Sequence, residues 1–141
     1  MVECKKVIIG GLAAGLVMLV LSWFILMPIL GMIFPELPTE YETSGVFRPW
    51  DDPLMSYMFI HPFILCLVMA YVFQAFKPYP KKDDVMRGIS YGFMFWLLVS
   101  IPGMLATLSS FAVSFDIVLT WTVEFLIEMP IAGIIIAKLA K

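Results

Sequence analysis

Charge is what this sequence has least of: only 14% of its 141 residues are Asp, Glu, Lys or Arg, while 62% are hydrophobic. An ordinary soluble domain carries about a quarter charged residues, so the chain is read against lipid rather than water. Histidine is almost absent. The single His61 excludes a bis-histidine haem within one chain, and joins carboxylates in a metal site only if several ligands converge on it. Cysteine is scarce too: Cys4 and Cys66 lie far apart with no CxxC, which excludes a dithiol redox pair. Cys4 stands beside Lys5 and Lys6, where a thiol at a membrane surface can be acylated, but an inert thiol is the plainer reading. Also missing are HExxH, GxSxG, P-loop and dinucleotide fingerprints. With a net charge of -2 and no long basic cluster, nucleic acid is not an expected partner. The expectation is a protein that is not an enzyme and needs no cofactor or metal.

Long apolar runs are what the chain does have. A membrane span takes about 20 mostly apolar residues, and four fit, near 7–34, 53–76, 86–109 and 115–137. Residues 1–141 are therefore expected to form a single all-α transmembrane domain, a compact four-helix bundle. The first run is too long for a signal peptide and ends in no small-x-small cleavage pattern, so it is expected to stay as a helix. Basic residues set orientation, since they remain cytoplasmic while acids weigh little. Lys5, Lys6, Lys77, Lys81, Lys82, Arg87, Lys138 and Lys141 fall on one side and only Arg48 on the other. Both termini are thus expected in the cytoplasm of a cell membrane, with loop 35–52 outside.

That outer loop, PELPTEYETSGVFRPWDD, is acidic and rich in turn formers. It reads as a solvated, partly ordered segment. Asp52 before Pro53 is a good helix start, because the carboxylate caps free amides and proline suits the first helical position. Trp50 and Tyr57 suit the headgroup level.

Small residues and prolines recur in register. Gly11 and Gly15 in the first span, and Gly88 and Gly92 in the third, are small-xxx-small pairs that let backbones approach. Each pair precedes a tryptophan (Trp23, Trp96) and a proline (Pro28, Pro102); the second and fourth spans place His61 and Glu128 just before Pro62 and Pro130. The pattern hints at a duplicated hairpin related by an axis along the membrane normal, although residues this common also recur by chance. Four prolines remove four backbone hydrogen bonds, and three lie toward the outer ends, so a wider outer half follows.

The stretch VEFLIEMPIAG carries two acids through this lipid-like environment. At about 1.5 Å per residue, Glu124 lies roughly 12 Å and Glu128 roughly 18 Å from a helix start near Asp116. Residues four apart share a face, and the series reaches back to Thr120 and Asp116. His61 should sit at the depth of Glu124 and pair with it. Ser22 and Ser100, near mid-depth, are candidate donors to Glu128. Interhelical hydrogen bonds average only about 0.6 kcal/mol, against about 2.5 or more for inserting a charge. Glue alone is a small return, so Glu128, Glu124, His61, Ser100 and Ser22 are taken as a candidate proton, ion or ligand site.

In size and four-span layout the chain resembles small multidrug exporters and small fluoride channels, a likeness of architecture that carries over no motif and no site residue. The expected function is a small membrane protein, transporter-like or ligand-binding, linked to protons or cations. Its partners would be the lipid bilayer and a second copy of itself. The competing reading is a non-catalytic accessory or assembly subunit of a larger membrane complex. A membrane enzyme or redox module with bound quinone or metal is a weaker third.

Overall fold

Four helices long and apolar enough to cross a membrane account for most of the chain in a computed structural model describing residues 2–78 and 83–140. They are α1 (Cys4–Ile33), α3 (Pro53–Phe76), α4 (Asp84–Ser110) and α5 (Phe115–Leu139), with a short α2 (Leu37–Thr43) between the first two. Among the described residues there is no strand. Lys81, Lys82 and Lys141, three of the cations behind the expected orientation, lie outside the described residues.

Helix starts follow from side chains that accept orphan amide protons. Asp52 Oδ1 accepts from Leu54 N at 2.8 Å, as its place before Pro53 predicts. Asp83 Oδ1 accepts from both Val85 N and Met86 N at 3.0 Å, which sets the start of α4 two residues ahead of the expected one. Ser114 Oγ accepts from Ile117 N at 3.2 Å and opens α5.

The prolines act in two ways. Pro62 and Pro130 lie inside continuous α-helix. In α1 and α4, by contrast, the turn ahead of the proline widens into a π-helix, at Ser22–Leu26 before Pro28 and at Trp96–Ser100 before Pro102. In each case the residue before the proline donates five residues back, Met27 N to Ser22 O and Ile101 N to Trp96 O. Proline lacks the amide and crowds the carbonyl four residues earlier, and a π turn absorbs the mismatch. Beyond it, no residue of Met27–Ile33 or Ile101–Ser110 is buried. Both helices leave the core at the same point, which is the physical content of the wider loop-side half.

Glycines seat the pairs. α1 packs along α3 and α4 along α5, with α1 also meeting α5. A Cβ on Gly11 would come within 2.8 Å of the Leu67 backbone, and one on Gly15 within 2.8 Å of the Phe63 backbone. Gly88 lies against Gly133 and Ile134, and Gly92 against Met129 and Pro130. All four are therefore contacts within this chain.

The core fills the half nearer the termini. Cys66, Met69, Ala70, Phe73, Tyr91, Met129 and Ile136 are all essentially inaccessible. Tyr91 donates to Met69 O at 2.5 Å, and the Arg87 guanidinium lies 4.4 Å from the Phe73 ring centre. At the very end, buried Gln74 accepts from Glu3 N at 2.5 Å and donates to Ala140 O at 2.9 Å. One side chain thus ties the start of α1 and the end of α5 to α3.

Candidate functional site

Above this core, in the loop-side half, lies a cavity of about 500 Å³. Its floor comes from α5. Thr120, Glu124 and Glu128 follow one another at intervals of four, share a face, and are all buried and cavity-lining. Asp116, the next step of the series, is exposed and outside the cavity. Helical drift accounts for this, because four residues turn slightly more than one revolution.

Ser22, in the π turn of α1, donates its hydroxyl proton to Glu124 Oε1. Glu128 lines the same cavity one helical turn further along α5. A serine has one proton to give and lone pairs to accept with, so it can link both acids only if one of them is protonated and donates. Glu128 is 2% exposed, and its Oε1 has no hydrogen-bond partner. Natural structures leave few buried polar atoms in that condition.

The other expected members are placed differently. His61 lines the cavity but is exposed, with its ring edge-on to Phe125 at 6.4 Å. The bond to Glu124 comes from Ser22 rather than from His61, because the histidine emerges on the wall of the cavity and not at its floor. Ser100 is buried in the π turn of α4 and is not among the lining residues. Thr120 Oγ1 returns to its own helix, donating to Ile117 O at 2.8 Å. Among the described residues no group of three or more His, Cys, Asp or Glu is arranged to hold a metal.

What sequence reasoning missed is the upper half of the cavity. The segment expected as a solvated loop contains α2, whose Leu37 is buried. Glu40 Oε1 accepts from Ser114 N at 2.7 Å, fastening α2 to the start of α5. Trp121 Nε1 donates to Tyr41 Oη at 2.6 Å, and Phe47 packs between them, 4.7 Å from Tyr41 and 6.0 Å from Trp121 by ring centres. On the facing wall Trp23 stacks on Phe59 at 5.0 Å and meets Trp50 edge-on at 5.9 Å. Burial, with the nearby carboxylates of Glu124 and Glu40 adding to it, pushes the Tyr41 phenol up to about 12 against the opposing bond from Trp121. Arg48 is engaged by Asp52 at 2.8 Å. That guanidinium and the amide of Leu54 hold the Asp52 carboxyl below its usual range. The missed signal was three aromatic residues, Tyr41, Phe47 and Trp50, in a segment otherwise acidic and turn-rich.

No family model, curated protein or solved structure matches this chain. The site is therefore defined by its own geometry: a packed core below, a polar floor with an unpaired carboxyl oxygen, aromatic walls and a helical roof.

Proposed function

We propose that this chain is a small integral membrane protein that binds a ligand in the α5 cavity and moves it in a transporter-like cycle linked to protons or cations. The observation that carries this reading is Glu128 Oε1, buried at the floor of the cavity without a partner. A polar atom held out of water without a hydrogen bond costs about 1–3 kcal/mol, and an arriving proton, cation or donor would remove that penalty. Ionisable residues within a membrane are functional candidates on the same grounds. The apolar side chains turned outward, such as Phe24, Met32 and Phe76 at 75–82% exposure, suit contact with acyl chains. The basic residues near both termini support a cytoplasmic placement of the packed end, which would turn the cavity outward. The test is flux of protons and of monovalent cations in liposomes, comparing the parent with Glu128→Gln. Equal flux in the two removes Glu128 from any mechanism.

A second reading, a non-catalytic accessory or assembly subunit of a larger membrane complex, draws on the loop-side half of α4. No residue there is buried, and Gly103 has open space around it. Purification in mild detergent separates the two: a stable symmetric assembly or monomer supports the first, and recovery only with other chains supports the second.

A further inference from the structure

We infer that the cavity is built for an organic ammonium ion, a protonated or quaternary amine carried on an apolar body. This rests on the ligand-binding reading above and names the class of ligand. The reasoning begins with the mismatch between floor and walls. Two buried acids and one hydroxyl sit at the bottom, while Trp23, Tyr41, Phe47, Trp121 and Phe125 make much of the lining above them. An inorganic cation fits poorly. Calcium takes six to eight oxygen ligands, more than two carboxyls and one hydroxyl supply, and magnesium holds tightly to its water, which walls made mostly of aromatic and methionine side chains do little to hydrogen-bond. A neutral apolar ligand fits the walls but leaves Glu128 Oε1 unpaired.

An organic ammonium suits both: a protonated amine has an N–H to donate to Oε1, and a quaternary ion offers the positive charge without that bond. Its charge is attracted to ring faces within about 6 Å and to carboxylates, and its carbon substituents replace water against the walls. Methionines 18, 27, 55, 58 and 104 also line the cavity; their flexible thioethers let one pocket adapt to several apolar shapes. Size agrees. At roughly 30 Å³ for each water-sized group, about 500 Å³ holds on the order of 15 of them, enough for a small aromatic amine. Charge agrees as well, because Arg48, the one lysine or arginine among the lining residues, is already paired with Asp52, which leaves the floor without a cation of its own.

Benzyltrimethylammonium and its neutral carbon isostere, neopentylbenzene, form the deciding pair, since they differ only in charge at equal shape. Binding to the purified chain in detergent is followed by tryptophan fluorescence, with Trp23, Trp50 and Trp121 reporting from the cavity wall. The expected result is preference for the cation by about tenfold or more, equivalent to about 1.4 kcal/mol. That preference should be lost in Glu128→Gln and reduced in Glu124→Gln, both checked for unchanged thermal midpoint and monodispersity. Equal binding of the two probes, unaffected by Glu128→Gln, overturns the ammonium assignment and leaves a ligand-binding cavity standing. Binding of neither probe, together with equal ion flux in parent and Glu128→Gln, overturns both. Tighter binding of calcium than of the organic cation also overturns the assignment.

Discussion

Replacing Glu128 with methionine should make the protein more stable, and the same replacement one helical turn earlier should not. Glu128 is 2% exposed and its Oε1 lacks a partner, a condition worth about 1–3 kcal/mol of destabilisation. Methionine has nearly the same length, an unbranched stem and no strong polar atom. Against this gain stands whatever bond the other oxygen makes, about 0.6 kcal/mol for an interhelical hydrogen bond in a membrane protein. The net expectation for Glu128→Met is a gain of about 0.5–2.5 kcal/mol. At Glu124 the balance reverses, because that acid accepts from Ser22; Glu124→Met loses the bond and strands a hydroxyl. The measurement is reversible unfolding in mixed micelles by rising denaturing detergent, followed by fluorescence of the tryptophans. Destabilisation of Glu128→Met by about 1 kcal/mol or more would refute the reasoning, since Glu128 would then be structural adhesive of the kind that costs stability when removed. Stabilisation with loss of ligand binding would mark a residue kept for activity at the expense of stability.

Gly88→Ala and Gly92→Ala drive a Cβ into the backbone of α5, which cannot step aside as a side chain can; each should cost about 1–3 kcal/mol. Gly31→Ala and Gly103→Ala meet nothing within 4 Å and should be neutral or stabilising by up to about 1 kcal/mol; equal losses at all four positions would sink the packing argument. Tyr41 keeps its proton to about pH 12 in the folded chain, whereas an unfolded phenol loses it near pH 10. The unfolded state therefore binds fewer protons between those values, and stability should be intact below about pH 10 and fall as pH rises toward 12. Phenolate absorbance compared with Tyr41→Phe measures this, and a Tyr41 midpoint at or below 10 contradicts it. For Asp52 the sign is opposite: its carboxyl is held below the ordinary value of 3.8 by the Leu54 amide and Arg48. The α3 cap is thus present above that value and lost as pH falls through the lowered one. Arg48→Ala should move the Asp52 midpoint upward by NMR titration, and no movement would rule out the pairing.

How much of this was legible in the sequence divides by physical cause. The four long helices were plain because apolar runs of that length have few alternatives, and Asp52 before Pro53 announced its cap. The vertical order of Thr120, Glu124 and Glu128 followed from helix geometry alone. What the chain did not reveal was rotation about the helix axes. Glu124 and His61 were matched by depth, yet a helix fixes depth more firmly than azimuth, and Ser22 took the place assigned to the histidine. Ser100 is buried in its π turn and does not line the cavity. The roof was hidden because its short helix depends on contacts between residues about 80 positions apart, such as Tyr41 with Trp121, which no local pattern encodes.

The repeat between the hairpins gains from the geometry. Gly15 meets Phe63, next to Pro62, and Gly92 meets Met129 and Pro130, so the second glycine of each pair is seated on its partner helix beside that helix's proline. Each first helix then passes through a π turn ending two residues before its own proline and leaves the core. Two like hairpins that separate at the same level necessarily open a space between them on one side and close it on the other. The difference lies in what each brings to that space. The second hairpin supplies Glu124 and Glu128, while the first supplies the Ser22 hydroxyl and, on its wall, His61. A symmetric frame carrying an asymmetric set of groups gives the floor one net character, acidic, and aims it at whatever enters beneath α2. If glycine seating and π turns set only the shape, their replacement should alter stability without changing which ligand is preferred. Exchange of Glu128 should do the reverse, and a Gly15→Ala variant that switched preference between charged and neutral probes would refute this separation of frame from chemistry.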